Sequence, residues 1–234
     1  MPAWPNYFII SIQPLLAKLA SNERIRGFPP TGTDEIKVLA SADDISRFVR
    51  DARSLREFRN TLNRYAEVSG EKINEGKSKA LPFGSFPSES SGEIQTVSTV
   101  KVLDVYFTCV GVAEATWQKA LERAHLVASR IQHVDLTLRE KALAVKTSVC
   151  AFANYVCRVA VMPSKIASQL NRIINTLLWD GKLAPGKRNL LQLPESEGGL
   201  GLPHVMAIGR ILALKTVRLL YQASDFFEKG LLLY

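Results

Sequence analysis

The first part of the chain alternates between hydrophobic patterns typical of helices and of strands. Apolar residues recur at three- and four-residue spacing across residues 7–20, which predicts a helix. Every second residue from Ile36 to Ala40 is then apolar, and apolar residues resume between Ile45 and Val49. Two adjacent acids, Asp43 and Asp44, separate these runs. The pattern predicts a strand, a tight turn with the acids at its tip, and a second strand.

A helix and two β regions are predicted after the acids. Ser54 and Glu57 have the S-x-x-E spacing of a capping box, and apolar residues at helical spacing follow them. Gly70 is well placed to end this helix. The segment 72–84 reads as a short strand region, and the segment 99–108, TVKVLDVYFT, as a strong β run.

Beyond residue 112 the hydrophobic period becomes helical. An apolar stripe runs from Trp117 to Ile131, with charged residues on the opposite side. Thr137 and Glu140 form a second capping box, which opens a long apolar helix that stops near Pro163. This part of the chain is therefore predicted to be helical.

The remaining patterns complete an α+β chain. Apolar positions from Ile166 to Leu177 predict a third helix, and a last helix is predicted around residues 204–222. Three parts follow: a mixed α/β part over residues 1–108, a helical part over 109–181, and a loop with a helix over 182–234.

Charge is distributed unevenly along the chain. The 234 residues are 47% hydrophobic, which is enough for one sizeable core or two small ones. Residues 1–108 carry 14 Lys and Arg against 13 Asp and Glu, whereas residues 109–234 carry 16 against 9. The total of +8 favours a polyanionic partner, and a merely basic soluble surface is the alternative.

The cysteines and the N-terminal segment bear on the compartment. Cys109, Cys150 and Cys157 include no C-x-x-C pair, which argues against a disulfide framework or a zinc site and for a reducing environment. Residues 1–20 lack the basic start and cleavage pattern of a signal peptide and are too short an apolar run to span a bilayer. We expect an intracellular protein, cytoplasmic or nuclear, that has no membrane partner.

Two carboxylates at a hairpin tip are suited to bind a hard divalent cation. Mg²⁺ prefers oxygen ligands and often uses one or two carboxylates together with substrate phosphates. Taken alone, Asp43 and Asp44 favour a plain polar hairpin tip over a metal site, and the surrounding segments change that interpretation.

Several segments, in their order along the chain, resemble the second half of a reverse transcriptase of the non-LTR (LINE-type) retrotransposon group. The segments that carry the resemblance are SADD at 41–44, SGEKINEGKS at 69–78, VKVLDVYF at 100–107, LLWDGK at 177–182 and GGLGLP at 198–203. The resemblance implies part of a reverse-transcriptase palm, followed by a helical region similar to the thumb.

The same resemblance implies roles for three residues. Asp43 matches the metal-binding acid of the palm and Asp44 its neighbour, so that both would hold Mg²⁺ or Mn²⁺. Lys77 matches a lysine near the nucleotide phosphates, where it would act as a general acid toward the leaving pyrophosphate. The implied partners are an RNA template and a DNA primer.

The resemblance also implies which cations contact nucleic acid. Val100–Phe107 would correspond to the primer grip, and the helices from Trp117 onward to the thumb. Phosphate contacts dominate nucleic-acid affinity, so basic residues of both regions are candidates. They are Lys101, Lys119, Arg123, Arg130 and Lys146.

The chain departs from the family pattern in ways that bear on activity. Ser41 replaces an aromatic residue beside the acids, Glu71 stands at a usually apolar position, and Asp104 replaces a Gly in a strand expected to be half buried. The fingers and the upstream palm aspartate have no counterpart before Asp43. We therefore expect a fragment of an RNA-directed DNA polymerase that is inactive alone; a non-catalytic nucleic-acid-binding remnant and a helical scaffold are the alternatives.

Overall fold

The computed structural model describes residues 4–29, 35–41, 44–71, 74, 76–84 and 94–227. It combines helices with short strands, and the predicted α+β class is confirmed at that level. Contacts divide the chain into two compact units, Met1–Cys109 and Val110–Tyr234. The three-part division made from the sequence stays a prediction.

The first unit contains two long helices and several short strands. Its helices are α1 (Trp4–Ser21) and α2 (Ala52–Ser69). Its strands are β1 (Val38–Ser41), β2 (Asp44–Arg47), β3 (Lys79–Ala80), β4 (Gln95–Thr96), β5 (Val100–Val102) and β6 (Val105–Thr108).

Apolar side chains of α1 and α2 form the core of the first unit. They recur at helical spacing, so each helix turns one face toward the other. The buried cluster consists of Ile12, Leu15, Leu19, Ile25, Phe58 and Leu62. Val38 of β1 and Ile45 of β2 pack against its border, which holds the acidic hairpin on the two helices.

Side-chain hydrogen bonds connect the elements around this core. Lys37 Nζ donates to the carbonyl oxygens of Ala20 and Asn22, at 3.1 and 2.8 Å, and so satisfies the C-terminal end of α1. Tyr65 of α2 donates from its hydroxyl to the carbonyl of Ser11, at 2.9 Å. The first unit thus depends on polar contacts as well as on its apolar cluster.

Helix α2 begins three residues before the position predicted from the sequence. Its N-cap is Asp51, whose carboxylate accepts the N–H of Ser54 at 2.7 Å. The predicted capping box at Ser54 is wrong, because the buried Ser54 hydroxyl instead accepts the N–H of Arg26 at 2.9 Å. Gly70 ends the helix as predicted, in the left-handed conformation at φ 74°.

The predicted β run at 99–108 is a hairpin rather than one strand. β5 and β6 pair antiparallel, and Leu103 and Asp104 connect them with φ of 46° and 68°. Two positive φ angles in a two-residue connection are typical of a type I′ turn, in which Asp is tolerated. Asp104 therefore lies in a turn and not in the half-buried strand expected from the sequence. β3 and β4, by contrast, pair parallel.

The second unit is helical apart from one short strand. Its long helices are α3 (Glu114–Gln132), α6 (Ser164–Trp179) and α8 (Val205–Phe227). Its shorter elements are β7 (Gly111–Val112), α4 (Leu138–Ala144), a π-helical segment (Val145–Val149), α5 (Ala151–Val156), α7 (Arg188–Gln192) and a 3₁₀ turn (Glu195–Glu197).

The core of the second unit lies between α3, α5 and α6. The predicted stripe of α3 is confirmed, because Trp117, Ala120 and Ala124 are buried in this core. α6 contributes Leu170, Ile174 and other buried residues at helical spacing. Helix α8 packs against α5 and α6.

The predicted long helix after Thr137 is interrupted. The capping box at its start is confirmed, since Thr137 N–H donates to Glu140 Oε2 at 2.8 Å and the Thr137 hydroxyl accepts the Glu140 N–H. The π-helical segment and Cys150 then separate α4 from α5. From Ala142 onward the inward face stays apolar, with Val145 and Val156 fully buried, so the apolar pattern did not reveal the break.

Helix α6 ends at a charge pair. Asp180 adopts a left-handed conformation at φ 50°, and its two carboxylate oxygens lie 2.6 and 2.8 Å from Nζ of the buried Lys141. The pair joins α4 to the end of α6. Among the helices that the structure describes, none is long and apolar enough to cross a bilayer.

Candidate functional site

The acidic hairpin has a defined register up to its tip. β1 and β2 pair antiparallel from Val38 opposite Arg47 to Ser41 opposite Asp44. Alternation turns Val38 and Ile45 toward the core of the first unit and leaves Asp44 exposed. Asp43, the acid that the resemblance implies as the metal ligand, lies outside the described residues.

The described part of the chain does not make up a metal site. Asp44 supplies one exposed carboxylate, whereas a divalent cation is normally held by several oxygen ligands. No group of three or more His, Cys, Asp or Glu residues converges among the residues whose placement is known. The assignment of Mg²⁺ or Mn²⁺ to Asp43 and Asp44 stays a prediction from the resemblance.

Lys77 lies in a turn organised by Asn74. Its backbone N–H donates to the backbone carbonyl and to Oδ1 of Asn74, at 3.1 Å each, and the Ser78 hydroxyl donates to the same carbonyl. The residue is exposed. Within the described residues no hydrogen bond or ion pair joins Lys77 to Asp44, so a shared catalytic role for these two stays a prediction.

Lys101 is paired with the turn that follows it. Its Nζ lies 2.9 Å from the carboxylate of Asp104, three residues on. Asp104, at a position where the resemblance implies a Gly, thus partly neutralises a cation of the implied primer grip. A phosphate would have to compete with this carboxylate for Lys101.

Three of the predicted nucleic-acid contacts share one face of α3. Lys119, Arg123 and Arg130 are four and seven residues apart, so they form one stripe along the helix. At a rise of about 1.5 Å per residue, the stripe extends over about 16 Å. We call these three residues the α3 cation stripe.

Two of these cations converge on an aromatic side chain of α5. Arg123 Cζ lies 4.2 Å from the ring centroid of Phe152, and Lys119 Nζ lies 5.7 Å from it. Phe152 in turn stacks on Tyr155, with ring centroids 6.0 Å apart and planes 30° apart. Tyr155 is 38% exposed, so part of its ring faces solvent. Cations and rings in this arrangement can bind phosphates and stacked bases.

Lys146 belongs to a different environment. It lies in the π-helical segment, and a Cβ at Gly201 would come within 3.1 Å of its Nζ. Lys146 also helps to lower the pKa of Glu195, after the larger effect of Arg139, which is ion-paired with that acid. Lys146 therefore contacts the GGLGLP loop rather than the aromatic pair.

Arg188 of the GKR segment and the two buried cysteines have structural roles. Arg188 donates to the Asn171 carbonyl and to Asn175 Oδ1, and burial lowers its pKa. Burial raises the pKa of Cys150 and of Cys157 to about 11, so both remain protonated thiols at neutral pH. None of the three is presented to a ligand.

Sequence reasoning missed the aromatic residues beside the α3 cation stripe and one partly buried cation. Phe152 and Tyr155 are three residues apart on α5, a spacing that also fits ordinary packing, and only the contact with α3 distinguishes them. In the first unit, Arg47 Cζ lies 5.6 Å from the centroid of Phe58. Burial, and then the charge of Arg59, lower the pKa of Arg47, which covers the apolar core.

No model of a known protein family matches the chain.

Proposed function

We propose that this chain is part of an RNA-directed DNA polymerase of the non-LTR retrotransposon group. In this proposal its second unit binds template–primer nucleic acid, and the chain does not transfer nucleotides by itself. The observation that carries the binding proposal is the convergence of Lys119 and Arg123 on Phe152 beside the half-exposed Tyr155. The collinear segments, from SADD to GGLGLP, support the family.

The α3 cation stripe suits a polyanion for two reasons. Like charges held four and seven residues apart on one helix face repel one another, and phosphates relieve that repulsion. Arg123, lying on the Phe152 ring, is also held in one orientation, so that less side-chain entropy is lost on binding. These features favour a nucleic-acid surface over a merely basic one.

Binding is tested with a fluorescent RNA–DNA hybrid that carries a single-stranded overhang. Affinity measured by anisotropy should fall steeply between about 50 and about 200 mM salt. The double variant Lys119→Ala/Arg123→Ala should reduce the logarithmic salt slope by about 2, one unit for each phosphate that the protein no longer neutralises. The matched control is Lys165→Ala, which removes an exposed cation from the first turn of α6.

Two results would contradict the binding proposal. One is the absence of binding even at low salt, which would favour the helical scaffold. The other is a double variant whose salt slope equals that of Lys165→Ala, because the charges would then act only through the net charge of the chain. Tyr155→Leu extends the test, since removal of the stacking ring should weaken binding of the overhang by about 1–3 kcal/mol.

Catalysis is tested separately by primer extension with Mg²⁺ or Mn²⁺. We expect no extension, because no aspartate of this chain matches the upstream palm acid that the resemblance implies as the partner of Asp43 and Asp44. Extension that Asp43→Ala abolishes would overturn this expectation and identify a working polymerase. Binding without extension would agree with both the proposed fragment and a non-catalytic remnant.

A further inference from the structure

Helix α8 is anchored by one face only. On its inward side Val205 is buried, and Gly209 lies so close to α5 that a Cβ there would approach the Cys157 sulfur to 3.1 Å. This contact fixes the rotation of the helix about its axis. The opposite face is therefore directed to solvent.

That outward face carries large apolar side chains. Ile211, Leu214 and Val217 are 50%, 67% and 62% exposed. At about 100° of rotation per residue, Ile211 and Leu214 lie opposite Gly209 with Arg218 between them, and Val217 lies at one edge, so the apolar stripe includes one cation. A helix with apolar residues on both its inward and its outward face is normally covered on both sides.

The charges around this stripe all have one sign. Arg210, Lys215 and Arg218 are exposed on the same helix. The sequence contains no Asp or Glu between Glu197 and Asp225, so no acid lies within a helical turn of these cations. We call the three apolar and three basic residues together the α8 outer face.

We propose that the α8 outer face docks an amphipathic helix of a protein partner that presents both large apolar side chains and Asp or Glu residues to it. The apolar side chains of the partner would cover Ile211, Leu214 and Val217, and its acids would pair with the three cations.

Charge and shape decide between the possible occupants. A second copy of this helix would bring six cations together without an acid between residues 197 and 225 to offset them. A nucleic acid would satisfy the cations but would leave three large apolar side chains against phosphates and sugars. An acidic amphipathic helix matches both parts of the surface.

The test uses the full chain and two synthetic helical peptides. Both peptides carry the same Leu and Ile positions; one has Glu along the edges and the other has Lys. We expect the Glu peptide to bind about tenfold or more tightly than the Lys peptide, as measured by anisotropy. Leu214→Ser and Arg218→Glu should each weaken binding of the Glu peptide by about tenfold.

Leu183→Ser is the matched control, because Leu183 is 97% exposed in a loop outside α8. The proposal is overturned if both peptides bind equally or if Leu183→Ser matches Leu214→Ser in effect. It is also overturned if the natural chain does not bind the Glu peptide but binds phosphatidylserine vesicles or self-associates, and Leu214→Ser abolishes that binding or self-association. Circular dichroism of each variant confirms that the helices are retained.

Discussion

The two units are stabilised in different ways, although each contains long helices. Among the described residues, nine buried hydrophobic residues lie in the first unit and twenty-two in the second. The first unit adds hydrogen bonds that join the side chains of Lys37, Ser54 and Tyr65 to backbone groups elsewhere in the unit. The second adds close helix contacts, such as that of Gly209 with Cys157.

The size of each core determines how the unit responds to a substitution. A small apolar cluster has few neighbours that can relax around a cavity, so a single truncation should affect the whole of the first unit. In a core shared by three or more helices, a truncation should loosen only the helices around the substituted residue. Hydrogen exchange read segment by segment distinguishes these two responses.

The largest effect is expected from Phe58→Ala. Phe58 is fully buried in the first unit, and its truncation should cost about 3–5 kcal/mol. Exchange should rise throughout α1, α2 and the hairpin. Leu170→Ala is the counterpart in the second unit, where exchange should rise mainly in α3 and α6. Equal and chain-wide increases for both variants would contradict the proposed contrast between the units.

Substitution of two closely packed glycines should have the next largest effect. A Cβ at Gly27 would lie 2.4 Å from the Ile36 carbonyl oxygen, and one at Gly199 would lie 2.1 Å from that of Leu193. Ala at either position should cost about 2 kcal/mol or more in urea unfolding. The Gly27 variant should loosen the hairpin, whereas the Gly199 variant should loosen only its own loop. Gly186→Ala, with open space around it, should change stability little.

Asp180→Asn should have a moderate effect confined to the second unit. Asn keeps the left-handed conformation but removes the charge that pairs with Lys141, which is only 8% exposed. We expect a loss of about 1–2 kcal/mol in urea unfolding. The control is Asp135→Asn at an exposed loop position. An equal response of the two variants would show that the Lys141 pair adds nothing.

The smallest effect concerns the cap of α2 and depends on pH. The Ser54 N–H holds the pKa of Asp51 below its usual value of 3.8 in the folded protein. Because the folded pKa is lowered, this stabilisation is present above pH of about 4 and is lost as the pH falls through the folded pKa. Asp51→Ala should cost about 1 kcal/mol at neutral pH.

The control for the cap is Asp51→Asn, which retains an acceptor without a titrating charge. Its stability, measured by urea unfolding, should converge with that of the natural chain in acid. If the difference in unfolding free energy between the natural chain and Asp51→Ala persists unchanged below the folded pKa of Asp51, the cap does not act through the ionised carboxylate.

Helical periodicity was the most reliable guide to the fold. The stripe of α3 and the capping box at Thr137 follow directly from the order of residues. The start of α2 does not follow from the order of residues, because Asp51 and Ser54 are both good N-caps. Which of them caps the helix depends on the hydrogen bond between Ser54 and Arg26, which is distant in sequence. The turn at Asp104 carries neither of the usual Asn-Gly or Asp-Gly signals.

The candidate interface was only half predictable for a related reason. Lys119 and Arg123 can be selected from charge and helical spacing alone. Phe152 and Tyr155 become part of the candidate interface only because α5 packs beside α3. Periodicity describes one element at a time, whereas an interface depends on which elements meet.

The π-helical segment at Val145–Val149 also bears on how this part of the chain tolerates the loss of a residue. Its hydrogen bonds span one residue more than those of an α-helix, so a π turn accommodates one extra residue within an otherwise helical rod. Removal of the exposed Thr147 would allow α4 and α5 to close into one regular helix. A single-residue deletion would therefore be absorbed at this turn with little movement of the helices on either side.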